Sequence, residues 1–489
     1  MSLRSCGVLA LLLLALMPPA TAGAWEVPNP EVDQYLEVVP DARGGRPAVD
    51  IQRVAPAADT EHCVNDPDPV VAAVAAAFVT GGGGGGIMLP LALVVVGLGL
   101  AGAAVSRRRA VAIAALLVAC LIVPAAAGAD VDFGVMAGRD GAGTLSQDEF
   151  QRMRLGGTDV VRTTLDWELV QPAKGGPYDF TSFDQIMAGA SGGQLPRVQV
   201  LPILFGSPSW VRGADTSNEP ATAPADMRAW ARFVRAAVAR YGPHGSFWAE
   251  NQGAIDSGRL HYNPVYDWQV WNEPNLSPFW TKGRPDAREY AQLLRITDEA
   301  IKTEDPRAKT VLAGMLERQS APLPMSEFLR DLYRVKGIGD HFDVLAPQPF
   351  VFVKDSRLLA AALRRVRSVA DSNGDGDKPI FITEIGVASN GPKTDLTTDE
   401  KGQAAALREF FGQIERLAGG DRIEKAIWFQ WRDGDVFPPS GPDSDRWQTY
   451  TGLFTADGRP KPAWQAFCAI NRGVPGQGAL PSRPGVPAK

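Results

Sequence analysis

Trp268-Gln269-Val270-Trp271-Asn272-Glu273-Pro274-Asn275 decides how this chain is read. An apolar strand pattern runs from Tyr266 to Trp271 and meets Pro274, which has no N–H and stops further sheet pairing. A glutamate therefore stands at the C-terminal end of a strand. A second stretch of the same build, Ile380-Phe381-Ile382-Thr383-Glu384-Ile385-Gly386, puts Glu384 after an almost wholly apolar run, 111 residues later. A carboxylate in that position is costly to desolvate unless it is paired or used.

Working outward, short β-branched runs alternate with helical patterns, the signature of parallel βαβ units. The expected strands are Phe133–Ala137, Val160–Trp167, Val198–Phe205, Tyr266–Trp271, Thr310–Met315, Phe342–Ala346, Pro379–Thr383 and Ala426–Trp431. Between them lie helical patterns such as Ala225–Tyr241, Arg288–Thr303 and Thr398–Leu417. Eight strands alternating with helices predict an α/β fold, a (β/α)8 TIM barrel over residues 130–472. An open doubly wound sheet is the alternative, but no Gly-x-Gly-x-x-Gly follows the first strand. In the barrel, Glu273 ends the fourth strand and Glu384 the seventh, both on the face where such barrels carry their chemistry.

Two carboxylates at one barrel mouth meet the needs of glycoside hydrolysis. One must be protonated to give a proton to the leaving oxygen, and the other ionised to attack the anomeric carbon or activate water. Mutual repulsion and burial separate their protonation states. At this point the residues acquire a resemblance. Trp271-Asn272-Glu273-Pro274 with Thr383-Glu384-Ile385-Gly386 resembles the paired motifs of clan A glycoside hydrolases, the retaining (β/α)8 enzymes that include cellulases and β-xylosidases. The resemblance spans roughly residues 130–470 and implies a retaining hydrolase of O-glycosyl compounds acting on a poly- or oligosaccharide, with β-linkages favoured. It implies Glu273 as general acid/base, Glu384 as nucleophile and Asn272 as partner of the sugar 2-hydroxyl. Arg162, within the second strand, resembles the arginine that supports the nucleophile, and an arginine there needs an anionic partner. Trp431 resembles the aromatic floor on which a sugar ring stacks, with a core tryptophan as the other reading. Trp167, Trp210 and Trp280 follow strands two, three and four and stand as subsite candidates or core residues. One position departs from the family: many relatives carry His-x-Tyr after the sixth strand, where this chain has Gln348-Pro349-Phe350. Phe350 has no hydroxyl for Glu384, and Gln348 hydrogen-bonds without titrating. A catalytically impaired glycan-binding cell-surface protein on the same barrel is therefore the alternative function, and a membrane-anchored scaffold without carbohydrate affinity a third.

The rest of the chain sets the context. The first 22 residues read as an export signal, with Arg4, the apolar run Val8–Met17 and Ala20-Thr21-Ala22. Residues 23–86 form a polar linker ending in six glycines, a tether rather than a phosphate loop because no Lys-Ser/Thr follows. Residues 87–127 hold two uncharged stretches around Arg107-Arg108-Arg109, read as transmembrane helices, the second alternatively an internal signal peptide. Either reading places the barrel outside the cytoplasm, membrane-anchored or secreted, and residues 473–489 form a tail. A net charge of −6 disfavours a nucleic-acid partner. The four cysteines form neither a zinc spacing nor a disulfide scaffold, with Cys63 and Cys468 expected to face solvent. Asp371–Gly376 resembles a calcium loop but lacks the twelfth-position glutamate, so a turn is the better reading. No metal or cofactor is expected, and carbohydrate is the expected partner.

Overall fold

The structure is a computed structural model, and it describes residues 131–138, 145–212, 221–280, 284–352, 355–435, 446–476 and 478–481. The expected signal, linker and apolar hairpin, residues 1–22, 23–86 and 87–127, lie outside the described residues, as does most of the tail. Among the described residues no helix is long and apolar enough to cross a membrane.

The strands are β1 (Asp132–Met136), β2 (Val160–Asp166), β3 (Gln199–Phe205), β4 (Asp267–Val270), β5 (Lys309–Val311), β6 (Met315–Leu316), β7 (Pro347–Gln348), β8 (Ile380–Ile385) and β9 (Ile423–Phe429). Seven pair in parallel in the order β5-β4-β3-β2-β1-β9-β8, and β6 pairs with β7. Single parallel bridges, Val311 to Val344 and Leu345 to Ile380, carry pairing through the sixth strand position to β8. The longer helices are α1 (Gln147–Leu155), α2 (Thr181–Ser191), α3 (Met227–Tyr241), α4 (Ala287–Glu304), α5 (Met325–Tyr333), α6 (Arg357–Asp371), α7 (Glu400–Asp421) and α8 (Pro462–Ile470). One follows each of the eight strand positions, an arrangement consistent with the expected (β/α)8 barrel.

The local chemistry explains the elements. The strands are buried on both faces and therefore read as continuous apolar runs. Helices start where an acid or hydroxyl takes the free N–H groups: Ser146 and Glu149 form a capping box on α1, and Asp226, Asp286 and Asp399 cap α3, α4 and α7. The fifth strand differs from its expected run. Thr310–Met315 is not continuous: β5 stops at Val311, Gly314 bridges to Asn272, and pairing resumes at Met315. The Tyr290 hydroxyl from α4 fills this gap, donating to the Val270 carbonyl (3.1 Å) and accepting from the Ala313 N–H (2.8 Å).

The N-terminal end of the barrel is sealed by charge. Lys425 on β9 donates to Asp132 and to Gln199, both at 2.8 Å, from the first residues of β1 and β3. Cys468 corrects its expectation: it is buried and unpaired on the inner side of α8, against α7, with burial raising its thiol pKa. In the calcium-like stretch, Asp371 ends α6 and Asp375 accepts from the Tyr333 hydroxyl at 2.7 Å, the bonding of a turn. Among the described residues no group of three or more His, Cys, Asp or Glu is arranged to hold a metal ion.

Gly134 sets how closely β1 packs on its neighbours. A Cβ there would stand 2.1 Å from the Val160 carbonyl oxygen and 2.9 Å from Ile427. Gly134→Ala is expected to destabilise the fold by about 1–3 kcal/mol, read as a lower urea midpoint with an unchanged slope.

Candidate active site

The site begins with backbone strain. Trp271 and Glu273 both take positive φ, 71° and 47°. Each such non-glycine residue costs on the order of 1–3 kcal/mol. What holds them is packing on one side and pairing on the other. The Trp271 ring is buried among Phe205, Trp230 and Trp280, and its indole N–H donates to the Phe279 carbonyl (2.9 Å). The Glu273 N–H donates to the Gly314 carbonyl at 2.8 Å. The chain thus leaves β4 in a tight twist that turns the Asn272 side chain toward Arg162 and the Glu273 carboxyl toward Asn272.

Arg162 joins these pieces. It is fully buried on β2, and its guanidinium is divided among four partners. Nε donates to Gln269 Oε1 (2.7 Å), Nη1 to Glu384 Oε1 (2.6 Å) and the Met136 sulfur (3.4 Å), and Nη2 to Asn272 Oδ1 (2.8 Å). Gln269 is held in turn by the Leu312 carbonyl at 3.0 Å. Asn272 Oδ1 also accepts from Gln348 Nε2 (3.3 Å), which leaves its amide nitrogen facing Glu273 Oε2 at 3.4 Å. Gly314 allows the crowding: a Cβ there would stand 2.4 Å from Gln348 Nε2, 2.7 Å from Thr383 Oγ1 and 3.1 Å from Arg162 Nη2.

The electrostatics separate the two carboxyls. Burial pushes Glu273 up to about 8, with the negative field of Glu384 adding to it and Arg162 and the Asn272 amide opposing. Burial also raises Glu384, but there Arg162 opposes both through its charge and through a direct hydrogen bond. The cation lies against Glu384 and touches Glu273 only through Asn272, so the ionised member of the pair is Glu384 and the shared proton belongs on Glu273.

Four expected sugar contacts are corrected. Trp431, Trp167 and Trp280 are fully buried. Trp431 lies beyond the end of β9 and turns outward between Phe454 and Trp464, its indole donating to Glu149 on α1 (3.2 Å). Trp167 stacks on Phe233 of α3 and donates to Gln171. Trp280 meets Trp271 and Tyr290 edge-on and donates to Glu289. Gln348 is likewise fully buried, so it positions Asn272 instead of facing a sugar. Trp210 is half-buried, edge-on to Trp167, with its N–H on the Gln171 carbonyl. Sequence reasoning missed Gln269, Met136, Gly314 and Tyr290. A polar residue inside an apolar strand and an isolated glycine in a strand were the available signals for Gln269 and Gly314. It also missed Trp447, half-buried and edge-on to Phe350, whose ring in turn meets Phe429 at the end of β9.

No protein-family profile matches the chain. Among solved structures, the chain is similar in fold to a monomeric β-xylosidase from Caulobacter crescentus CB15, with a TM-score of 0.50, 17% identity, and 70% of this chain and 68% of that one covered. It is similarly related to a glucosidase from Croceicoccus marinus, with a TM-score of 0.50, 16% identity, and 70% and 66% covered. At these identities the likeness establishes the fold, and this chain spans about two thirds of the length of each.

The raised Glu273 carboxyl has a consequence for stability. The folded protein keeps a proton that the unfolded chain releases near the ordinary 4.5. Its contribution is complete below that pH and is lost as pH rises toward about 8. Glu273→Gln cannot titrate. Its melting temperature relative to the unaltered protein is expected to rise from pH 5 to pH 8, by calorimetry at both.

Proposed function

We propose that the chain is a retaining glycosidase that hydrolyses O-glycosidic bonds, with β-linkages favoured, of a poly- or oligosaccharide. The observation that carries the reading is the asymmetric environment of two carboxyls at the C-terminal end of the strands, one braced by a buried arginine and the other held protonated. In the first step Glu384 attacks the anomeric carbon while Glu273 gives its proton to the departing oxygen. As the glycosyl–enzyme bond forms, Glu384 loses its charge and Glu273 gains one. Glu273 then takes a proton from water, which displaces Glu384 with net retention. Asn272, its carbonyl oxygen occupied by Arg162 and Gln348, has its amide N–H2 to offer the sugar 2-hydroxyl, a contact that strengthens in the transition state. Two carboxyls and water complete this chemistry, and the barrel works outside the cytoplasm, membrane-anchored or secreted.

A second reading, glycan binding with impaired turnover, is favoured by one observation. Among the described residues Glu384 has a single hydrogen-bond partner, Arg162, and Phe350 packs against Phe429 and Trp447 with no hydroxyl to contribute. Binding of aryl glycosides without release in any member of a panel selects this reading.

Glu384→Ala is expected to abolish turnover of aryl glycosides. Glu273→Gln is expected to abolish it on poor leaving groups while sparing the first step on good ones, seen as a burst of released phenol. Unchanged turnover in either variant ends the assignment. Proton NMR of the first-formed sugar is expected to show the starting anomer. The rate is expected to fall as pH rises through about 8, where Glu273 deprotonates, and this alkaline limb should vanish in Glu273→Gln with an activated substrate.

A further inference from the structure

Beyond Gly314 the fifth strand position continues through β6 to Glu317 and Arg318, and the sixth continues through β7 to Phe350 and Phe352. Because the Gly314 backbone pairs with Asn272, these continuations rise from the same end of the barrel as Glu273 and Glu384. Arg318 there has an unusual environment. Its guanidinium carbon lies 4.7 Å from the centre of the Phe352 ring, a cation–π placement. Its nearest carboxylate is Asp395, in the loop after β8, at 4.0 Å and 72% exposed, whereas the Arg318 side chain is 26% exposed. Its Nε is buried and has no hydrogen-bond partner. The adjacent carboxylate, Glu317, is already taken by Arg365 (2.7 Å) and the Ser326 N–H (2.8 Å). Arg154, Arg295 and Arg432 also leave Nε unpartnered, but each places an Nη donor on an acceptor at 2.5–3.1 Å.

A guanidinium held over a ring, partly out of water and with donors unused, is preorganised for a planar anion. Its fork matches a carboxylate in two parallel hydrogen bonds. The half-buried Phe352 ring beside it suits the C–H face of a sugar ring. We propose that Arg318 is a specificity residue that binds the carboxylate of a uronic acid unit of the glycan, at the rim formed by the loops after the fifth and sixth strands. The inference rests on the glycosidase reading for its site and names the substrate class of that site.

The test uses the full chain and calorimetric titration with short oligosaccharides of glucuronic, galacturonic and mannuronic acid, each also in a form with its carboxyls reduced to hydroxymethyl groups. At least one acidic form is expected to bind tenfold or more tightly than its reduced counterpart, about the worth of a charge-assisted hydrogen bond. In Arg318→Gln that ratio is expected to fall to near one, and Arg318→Lys is expected to restore part of it; melting of each variant verifies folding. Equal binding of every acidic and reduced pair, binding of neither, or a ratio that survives Arg318→Gln overturns the proposal. Turnover of aryl glycosides by the unaltered protein against Glu384→Ala judges the hydrolase reading separately. Acid preference without turnover upholds Arg318 and removes the hydrolase, and turnover without acid preference does the reverse.

Discussion

A charged arginine sealed inside a barrel of apolar strands is the constraint from which the rest of this site follows. Burial disfavours its charge, and breaking such a pair by removing one partner typically costs about 3–5 kcal/mol. Arg162 is kept by satisfying its donors one by one: Gln269 from β4, Glu384 from β8, Asn272 from the turn after β4 and the Met136 sulfur from β1. Those partners come from three strand positions besides the arginine's own. The arginine therefore ties the mouth of the barrel together, as Lys425 ties the opposite end. The two ends differ in one respect that matters for chemistry. Lys425 meets partly exposed carboxylates, whereas Arg162 meets a carboxyl that burial is already pushing toward neutrality.

From that difference comes the division of labour between the glutamates. Glu384 is kept ionised by contact, and its negative field in turn raises Glu273. One cation placed off-centre between two like groups is enough to give them different proton occupancies without any difference in residue type. The price is conformational: the turn carrying Asn272 and Glu273 is held in the left-handed region at two residues, and Gly314 must approach without a side chain. The tryptophan cluster around Trp271 and the Tyr290 hydroxyl supply the counterweight from the helix layer.

The aromatic residues divide according to the direction of the chain as it leaves each strand. Trp167 and Trp431 lie just past strand ends and Trp280 in the loop after β4, where a subsite residue would also lie, yet each turns outward into the helix layer and finds an acceptor for its indole N–H there. Buried tryptophans ordinarily need such a partner. Phe352 instead stays half-buried on the loop after the sixth strand position, and there Arg318 finds its ring.

Much was legible from the residues in order. Parallel strands buried on both faces give continuous apolar runs, helix starts carry their capping acids, and a carboxylate closing such a strand stands out because burying it is expensive. These are local properties, so the alternation of strands and helices and the candidates Glu273, Glu384, Arg162 and Asn272 were readable before any contact was known. Contacts between distant segments were not. The break at Gly314 exists because Asn272 pairs there, and the role of Gln348 is set by an amide 76 residues away. Whether a tryptophan faces a sugar or a helix depends on a backbone turn of a few residues that composition does not encode. Residue types thus determined which groups had to be paired; only the closing of the sheet, which brings strand ends distant in sequence within hydrogen-bond reach, decided with whom.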